Sequence, residues 1–215
     1  MKRVKRLGLS LAAAWLLAIA SAGWGQSLDE ILSAVKTNDL ATFDRLVGRG
    51  VDVNSTDAHG NTLLILASRE GHDEIVAHLI LARAKLNQRN STGETALMLA
   101  AIKGHAGVLG RLLAAGAEVN HSGWNALLYA AFEGKTEICQ MLLSKGAEID
   151  ARAPNGATAL MLAARQGQNE TVKLLLLRKA DVGVKTESGI TALQWARKAG
   201  NSDIADLLRR AGARD

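Results

Sequence analysis

The chain returns to the same short pattern every 33 residues, with one exception, and that period limits the fold more than its composition does. Aligned on the residue that opens each pattern, the anchors are Thr62, Thr95, Asn125, Thr158 and Thr191, at intervals of 33, 30, 33 and 33. A glycine stands two residues before each anchor (Gly60, Gly93, Gly123, Gly156, Gly189). Another follows nine residues after it (Gly71, Gly104, Gly134, Gly167, Gly200). The heptapeptide TALMLAA occurs twice, as Thr95 to Ala101 and Thr158 to Ala164, 63 residues apart, which is one short interval plus one full one. A unit of this size cannot bury an apolar face alone and must stack on its neighbours.

Each unit reads as turn, helix, tight turn, helix, loop. Thr or Asn at the anchor caps the first helix by accepting a backbone N–H. That helix, as in TALMLAAIKG, is short and Ala-rich and packs closely on its neighbours. Its closing glycine suits the left-handed position that ends a helix. The second helix, as in TEICQMLLSKG, carries apolar residues at i, i+3 and i+4, one buried stripe that places Leu142 and Leu143 in the core. Asn87 to Gly93 spans six positions but Asn120 to Gly123 only three, so the deletion falls in the finger AEVNHSGWN and spares both helices. A shortened exposed loop is tolerated where a shortened helix would rotate every later contact.

The period and layout resemble the ankyrin repeat. The family's T-P-L-H-x-A-A stands here as TLLILAS, TALMLAA, NALLYAA, TALMLAA and TALQWAR, and its Gly-His pair as Gly71-His72 and Gly104-His105. Pro is replaced throughout by Leu or Ala, and the following His by Ile, Met, Leu or Gln. The resemblance implies an all-α, ankyrin-type α-solenoid of about six helix-turn-helix repeats with β-hairpin-like fingers, over residues 28–215. The repeats are expected at about 28–56 (N-terminal cap), 57–89, 90–120, 121–152, 153–185 and 186–215 (C-terminal cap). The first keeps the helix pattern without the Gly-x-Thr opening. The last carries Arg209 and Arg210 where other units are apolar, as a solvent-facing end requires.

Ahead of the repeats, MKRVKR, an apolar run and Ala20-Ser21-Ala22 form the three parts of a secretory signal peptide. The run is shorter than the roughly 20 apolar residues of a membrane span. Residues 1–22 are expected to be removed after Ala22, with Gly25 as the alternative site; an uncleaved membrane anchor is the other reading of the segment. The chain is thus expected to be an exported bacterial protein, periplasmic or secreted. Loss of Lys2, Arg3, Lys5 and Arg6 leaves 22 Lys and Arg against 21 Asp and Glu, so the basic pI describes the leader. No concentrated basic face calls for nucleic acid. Cys139 is the single cysteine, which excludes an intrachain disulfide, and no cysteine follows the leader closely enough for an acylated lipoprotein.

The five histidines show no metal-ligand spacing, and His72 and His105 share a repeat position that suits a turn-bonding role. No G-x-S-x-G, H-E-x-x-H or phosphate loop is present, so neither an enzyme nor a cofactor or metal is expected. The resemblance implies a concave binding surface built from the fingers and first helices. Mapped residue by residue, that surface holds Arg69, Ile102, Lys103, Phe132, Arg165 and Lys198 at helix ends and Trp124 on the short finger. Trp124 and Phe132 meet in the central repeat, and aromatics and Arg dominate binding interfaces. Trp124 has a second reading, as a cover for the gap the deletion leaves. Tyr129 and Trp195 share one helix position and are assigned to packing between repeats. The expected function is protein–protein interaction by a monomer, with no nucleic acid and no membrane after cleavage. Two alternatives stay open: an inhibitor or antidote of an enzyme or toxin in the same compartment, and a redox-protective or ligand-binding protein using Cys139 or the finger histidines.

Overall fold

The computed structural model of the chain describes residues 27–214, so the leader expected over residues 1–22 lies outside the described residues. Its helices come in pairs. Helix α1 covers 27–36 and is followed by α2 (Leu40–Gly48), α3 (Leu63–Glu70), α4 (Asp73–Leu81), α5 (Ala96–Lys103) and α6 (Ala106–Ala114). Then come α7 (Ala126–Phe132), α8 (Thr136–Ser144), α9 (Ala159–Gln166), α10 (Asn169–Leu177), α11 (Ala192–Lys198) and α12 (Ser202–Arg210). The first helices of the pairs form one layer, α3 on α5, α5 on α7, α7 on α9 and α9 on α11. The second helices form the other, α2 on α4, then α6, α8, α10 and α12 in turn.

Sequence chemistry starts each helix of the first layer. Thr62, Thr95, Asn125, Thr158 and Thr191 accept the backbone N–H three residues on, at 3.1, 3.3, 3.0, 3.5 and 3.3 Å. Gln194 reciprocates by accepting the Thr191 N–H at 3.0 Å, which completes a capping box. Each such cap contributes about 1 kcal/mol. Gly71, Gly104 and Gly167 close α3, α5 and α9 in the left-handed conformation.

Burial divides the layers. In α5 every residue from Ala96 to Ala101 is buried, because both neighbours and its own partner helix cover it. In α8 only Ile138, Cys139 and Leu142 are. Leu143 is half-buried, unlike its neighbour Leu142, because position 143 turns toward the edge of the stripe. The expectation that both leucines are equally core is corrected here.

Two ladders of polar contacts join the repeats. At the end of the first helices, His72 Nε2 donates to Lys36 O (3.2 Å) and His105 Nε2 to Arg69 O (3.1 Å). The same place is filled by Gln168, which donates to Phe132 O (3.2 Å), and Asn201, which donates to Ala164 O (2.9 Å). A second ladder runs through the loops, where Asn54, Asn87, Asn120 and Asp150 each accept an N–H one repeat on. The fingers are tight turns, not ladders of strand. Two backbone bonds close each of four hairpins: one across Asp57–Asn61, Asn90–Glu94, Ala153–Ala157 and Thr186–Ile190, and one from the glycine N–H (Gly60, Gly93, Gly156, Gly189) back to the first residue's carbonyl. The described residues contain a single isolated β-bridge, Thr56 to Thr62.

Candidate protein-binding face

The deletion in the fourth finger brings Trp124 down onto the helix it precedes. Its ring stacks on Tyr129 (centroids 4.9 Å apart, planes at 28°) and meets Phe132 edge-on (6.4 Å, 86°). Tyr129 and Phe132 are three residues apart on α7 and so share a face. Offset-stacked and T-shaped pairs are the favoured aromatic geometries. All three rings are half-buried, packed on the core yet partly in solvent.

The Tyr129 hydroxyl faces the Glu94 carboxylate on the finger of the preceding repeat. Burial first, and then the neighbouring Glu94 carboxylate, push the Tyr129 hydroxyl above its ordinary pKa. Glu94 also accepts from Asn90 Nδ2 (3.1 Å) and Thr92 Oγ1 (2.7 Å). The sequence reading assigned Tyr129 to packing between repeats and did not link it to Trp124. Its place four residues after the anchor, with Phe132 three further, carried the signal.

Ile102 is half-buried at the end of α5, one repeat before the aromatic cluster, and Lys103 beside it is exposed. Arg69 is half-buried at the end of α3, and its Nε donates to Glu70 at 2.9 Å. Arg165, exposed at the end of α9, lies over the Trp195 ring of the next repeat, 5.3 Å from guanidinium carbon to centroid. Such a cation–π contact fixes the direction of a long side chain. Lys198 is exposed at the end of α11. The structure therefore gathers Trp124 and Phe132 into one cluster with Tyr129, and pairs Arg165 with Trp195. It leaves Lys103 and Lys198 as separate charges on the same layer.

Between the second and third fingers lies a groove of about 260 Å³ lined by His59, Asn61, Arg69, Asn90, Glu94 and Leu99, among others. Cys139 sits in the opposite layer, fully buried, and burial pushes its thiol up to about 12. At neutral pH it is a protonated thiol without access to solvent, unlike a reactive cysteine.

A family model described as ankyrin repeats (three copies) matches residues 31–122, 64–153 and 127–214, together most of the chain. The chain belongs to the ankyrin-repeat family. Over 64 residues it is 38% identical to the ankyrin repeat-containing protein YIL001W of Saccharomyces cerevisiae, covering 30% of this chain and 12% of the yeast protein. This chain thus matches only a small part of that relative. The crystal structure of the human ASB11 ankyrin repeat domain is similar with a TM-score of 0.80 and 26% identity, over 86% of this chain and 84% of that one. The ankyrin-repeat fold is typically a non-catalytic scaffold that binds other proteins.

Proposed function

We propose that this ankyrin-repeat protein is exported and binds another protein on its first-helix face, with Trp124 and Phe132 at the centre. The Trp124–Tyr129–Phe132 cluster carries this reading. It is aromatic, half-exposed, held in one geometry and placed in the middle of the stack. Hot spots concentrate in central aromatic positions, while surrounding charges govern encounter and orientation. Arg69, Lys103, Arg165 and Lys198 supply those charges, which suits a partner with an apolar centre and an acidic rim. Because the face is preformed, association avoids most of the cost of ordering loops and side chains.

Catalysis, cofactor and metal play no part in this reading. An inhibitor or antidote would use the same face. A redox role is not favoured, since the one thiol is buried and protonated. We propose a monomer, a reading supported by the charged face of α12, where Asp203, Asp206, Arg209 and Arg210 are all exposed. Export rests on the basic start, apolar run and A-x-A site of residues 1–22. Intact mass of the exported protein tests it, with Gly23 the expected first residue. A product that retains Met1 and pellets with membranes would reverse this part of the reading.

Cross-linking in the exported fraction supplies the partner. Trp124→Ala and Phe132→Ala are each expected to weaken its binding by ~2 kcal/mol or more. Arg69→Ala and Lys198→Ala act more weakly and chiefly at low salt, where exposed charges are least screened. A Trp124→Ala protein that melts early but binds normally would make the ring a brace for the short finger and move the binding face elsewhere.

A further inference from the structure

We propose that Glu94 sets the specificity of this face by receiving a cationic side chain, arginine or lysine, from the partner in the groove between the second and third fingers. This rests on the reading that the face binds a protein. Glu94 is half-buried, its two donors are Asn90 Nδ2 and Thr92 Oγ1, and the Tyr129 hydroxyl faces it from the next repeat. All of these groups are neutral, so they aim the carboxylate without cancelling its charge. Among the described residues no Lys, Arg or His forms an ion pair with it. Arg69 lines the same groove but is engaged by Glu70 at 2.9 Å.

The wall that holds Glu94 is braced across three repeats. Asn61 donates to Asp57 Oδ2 and accepts from Asn90 Nδ2, both at 2.9 Å. Asn90 in turn accepts the Thr92 and Glu94 backbone N–H groups at 3.1 and 2.8 Å. Tyr129 stands between the carboxylate and the Trp124 ring on which it stacks. A fixed, partly desolvated carboxylate next to stacked aromatic rings suits a guanidinium or ammonium group. The ion pair is charge-assisted, and the rings add cation–π attraction. The centre of the face therefore selects the opposite charge from its rim. A uniformly acidic partner is turned away at Glu94, and one with a basic residue inside an acidic border fits.

The probe is a set of linear peptides selected from a random phage-displayed library on the purified mature protein, then measured by fluorescence polarisation. Selected peptides are expected to carry an arginine or lysine whose replacement by citrulline or norleucine weakens binding about ten-fold or more. Glu94→Gln keeps an acceptor for Thr92 but removes the charge, and should abolish the difference between arginine and citrulline peptides. Glu94→Lys should prefer peptides with glutamate at that place. The arginine and citrulline pair on the unaltered protein needs no variant, so a folding defect in either one leaves the test intact. Peptides that lose binding to Trp124→Ala but hold Glu94→Gln as tightly as the parent would overturn the role of Glu94 and leave the binding face standing. Peptides indifferent to both changes would overturn the face as well.

Discussion

The side-chain oxygen of Asn120 accepts the backbone N–H of Glu148 at 3.0 Å, so a residue in one inter-repeat loop holds the next. Asn120 Nδ2 also donates to Gly146 O at 2.9 Å. Replacing Asn120 by Ala removes both bonds and is expected to cost about 2 kcal/mol, the net worth of two ordinary hydrogen bonds. Asn120→Asp should lose less, because Asp150 already performs the accepting role for Asp181 at 3.0 Å. Urea unfolding of the two variants measures the difference.

Adjacent leucines in α8 should respond very differently to truncation. Leu142 is fully buried, and Leu142→Ala should cost ~2–5 kcal/mol through lost transfer energy and the cavity left behind. Leu143 is half-buried, and Leu143→Ala should cost about 1 kcal/mol, the share of transfer energy it has gained. Equal losses in denaturant midpoint would mean that the stripe is rotated from its described position.

Gly156 and Gly189 occupy one repeat position with nearly the same backbone, φ +79° and +76°. A methyl on Gly156 would lie 2.9 Å from the Glu187 backbone nitrogen, whereas one on Gly189 would meet nothing within 4 Å. Both alanine variants bear the strain of the left-handed conformation, on the order of 1 kcal/mol. Only Gly156→Ala must also move the backbone of the next repeat. Its melting temperature should therefore fall further than that of Gly189→Ala, and the gap between them isolates the contact from the conformation.

Acid should weaken the stack near the short finger. His121 is half-buried there, its shielded Nε2 without a partner, and burial followed by the nearby Arg89 lowers its pKa below the ordinary 6.5, against the opposing pull of Glu118. The unfolded chain therefore takes up this proton more readily than the folded one. The stability contribution is present above pH 6.5 and is lost as pH falls through the lower folded value. Urea unfolding at pH 7.5 and pH 5 should show a loss that His121→Gln reduces. A loss unchanged in that variant would assign it to the carboxylates instead.

Local chemistry made the helices legible. Thr or Asn before an Ala-rich run, glycine nine residues on and the 33-residue stride specify caps, ends and register without reference to distant atoms. The loop ladder was less open to sequence reasoning, since Asn54 or Asn87 shows no sign of its backbone partner one repeat away. The aromatic cluster was read only in part. Spacing placed Trp124 and Phe132 together, but the tilt that stacks Trp124 on Tyr129 follows from the path of a finger three residues short. The contact of Arg165 with Trp195 likewise depends on the offset between neighbouring helices, which periodicity does not state.

The two copies of TALMLAA open α5 and α9 with the same cap and the same buried face, although their neighbours differ. Joining Glu94 directly to Thr158 would remove 63 residues and leave the reading frame of the pattern unbroken, because the heptapeptide that follows the seam is the one that stood there before. The excised piece contains the short finger, Trp124, Tyr129 and Phe132. What remains would be a four-pair stack with native chemistry on both sides of its join. Recombination at such a seam can shorten the molecule and erase its aromatic centre in one step, which makes the recognition surface a replaceable cassette in an otherwise continuous scaffold.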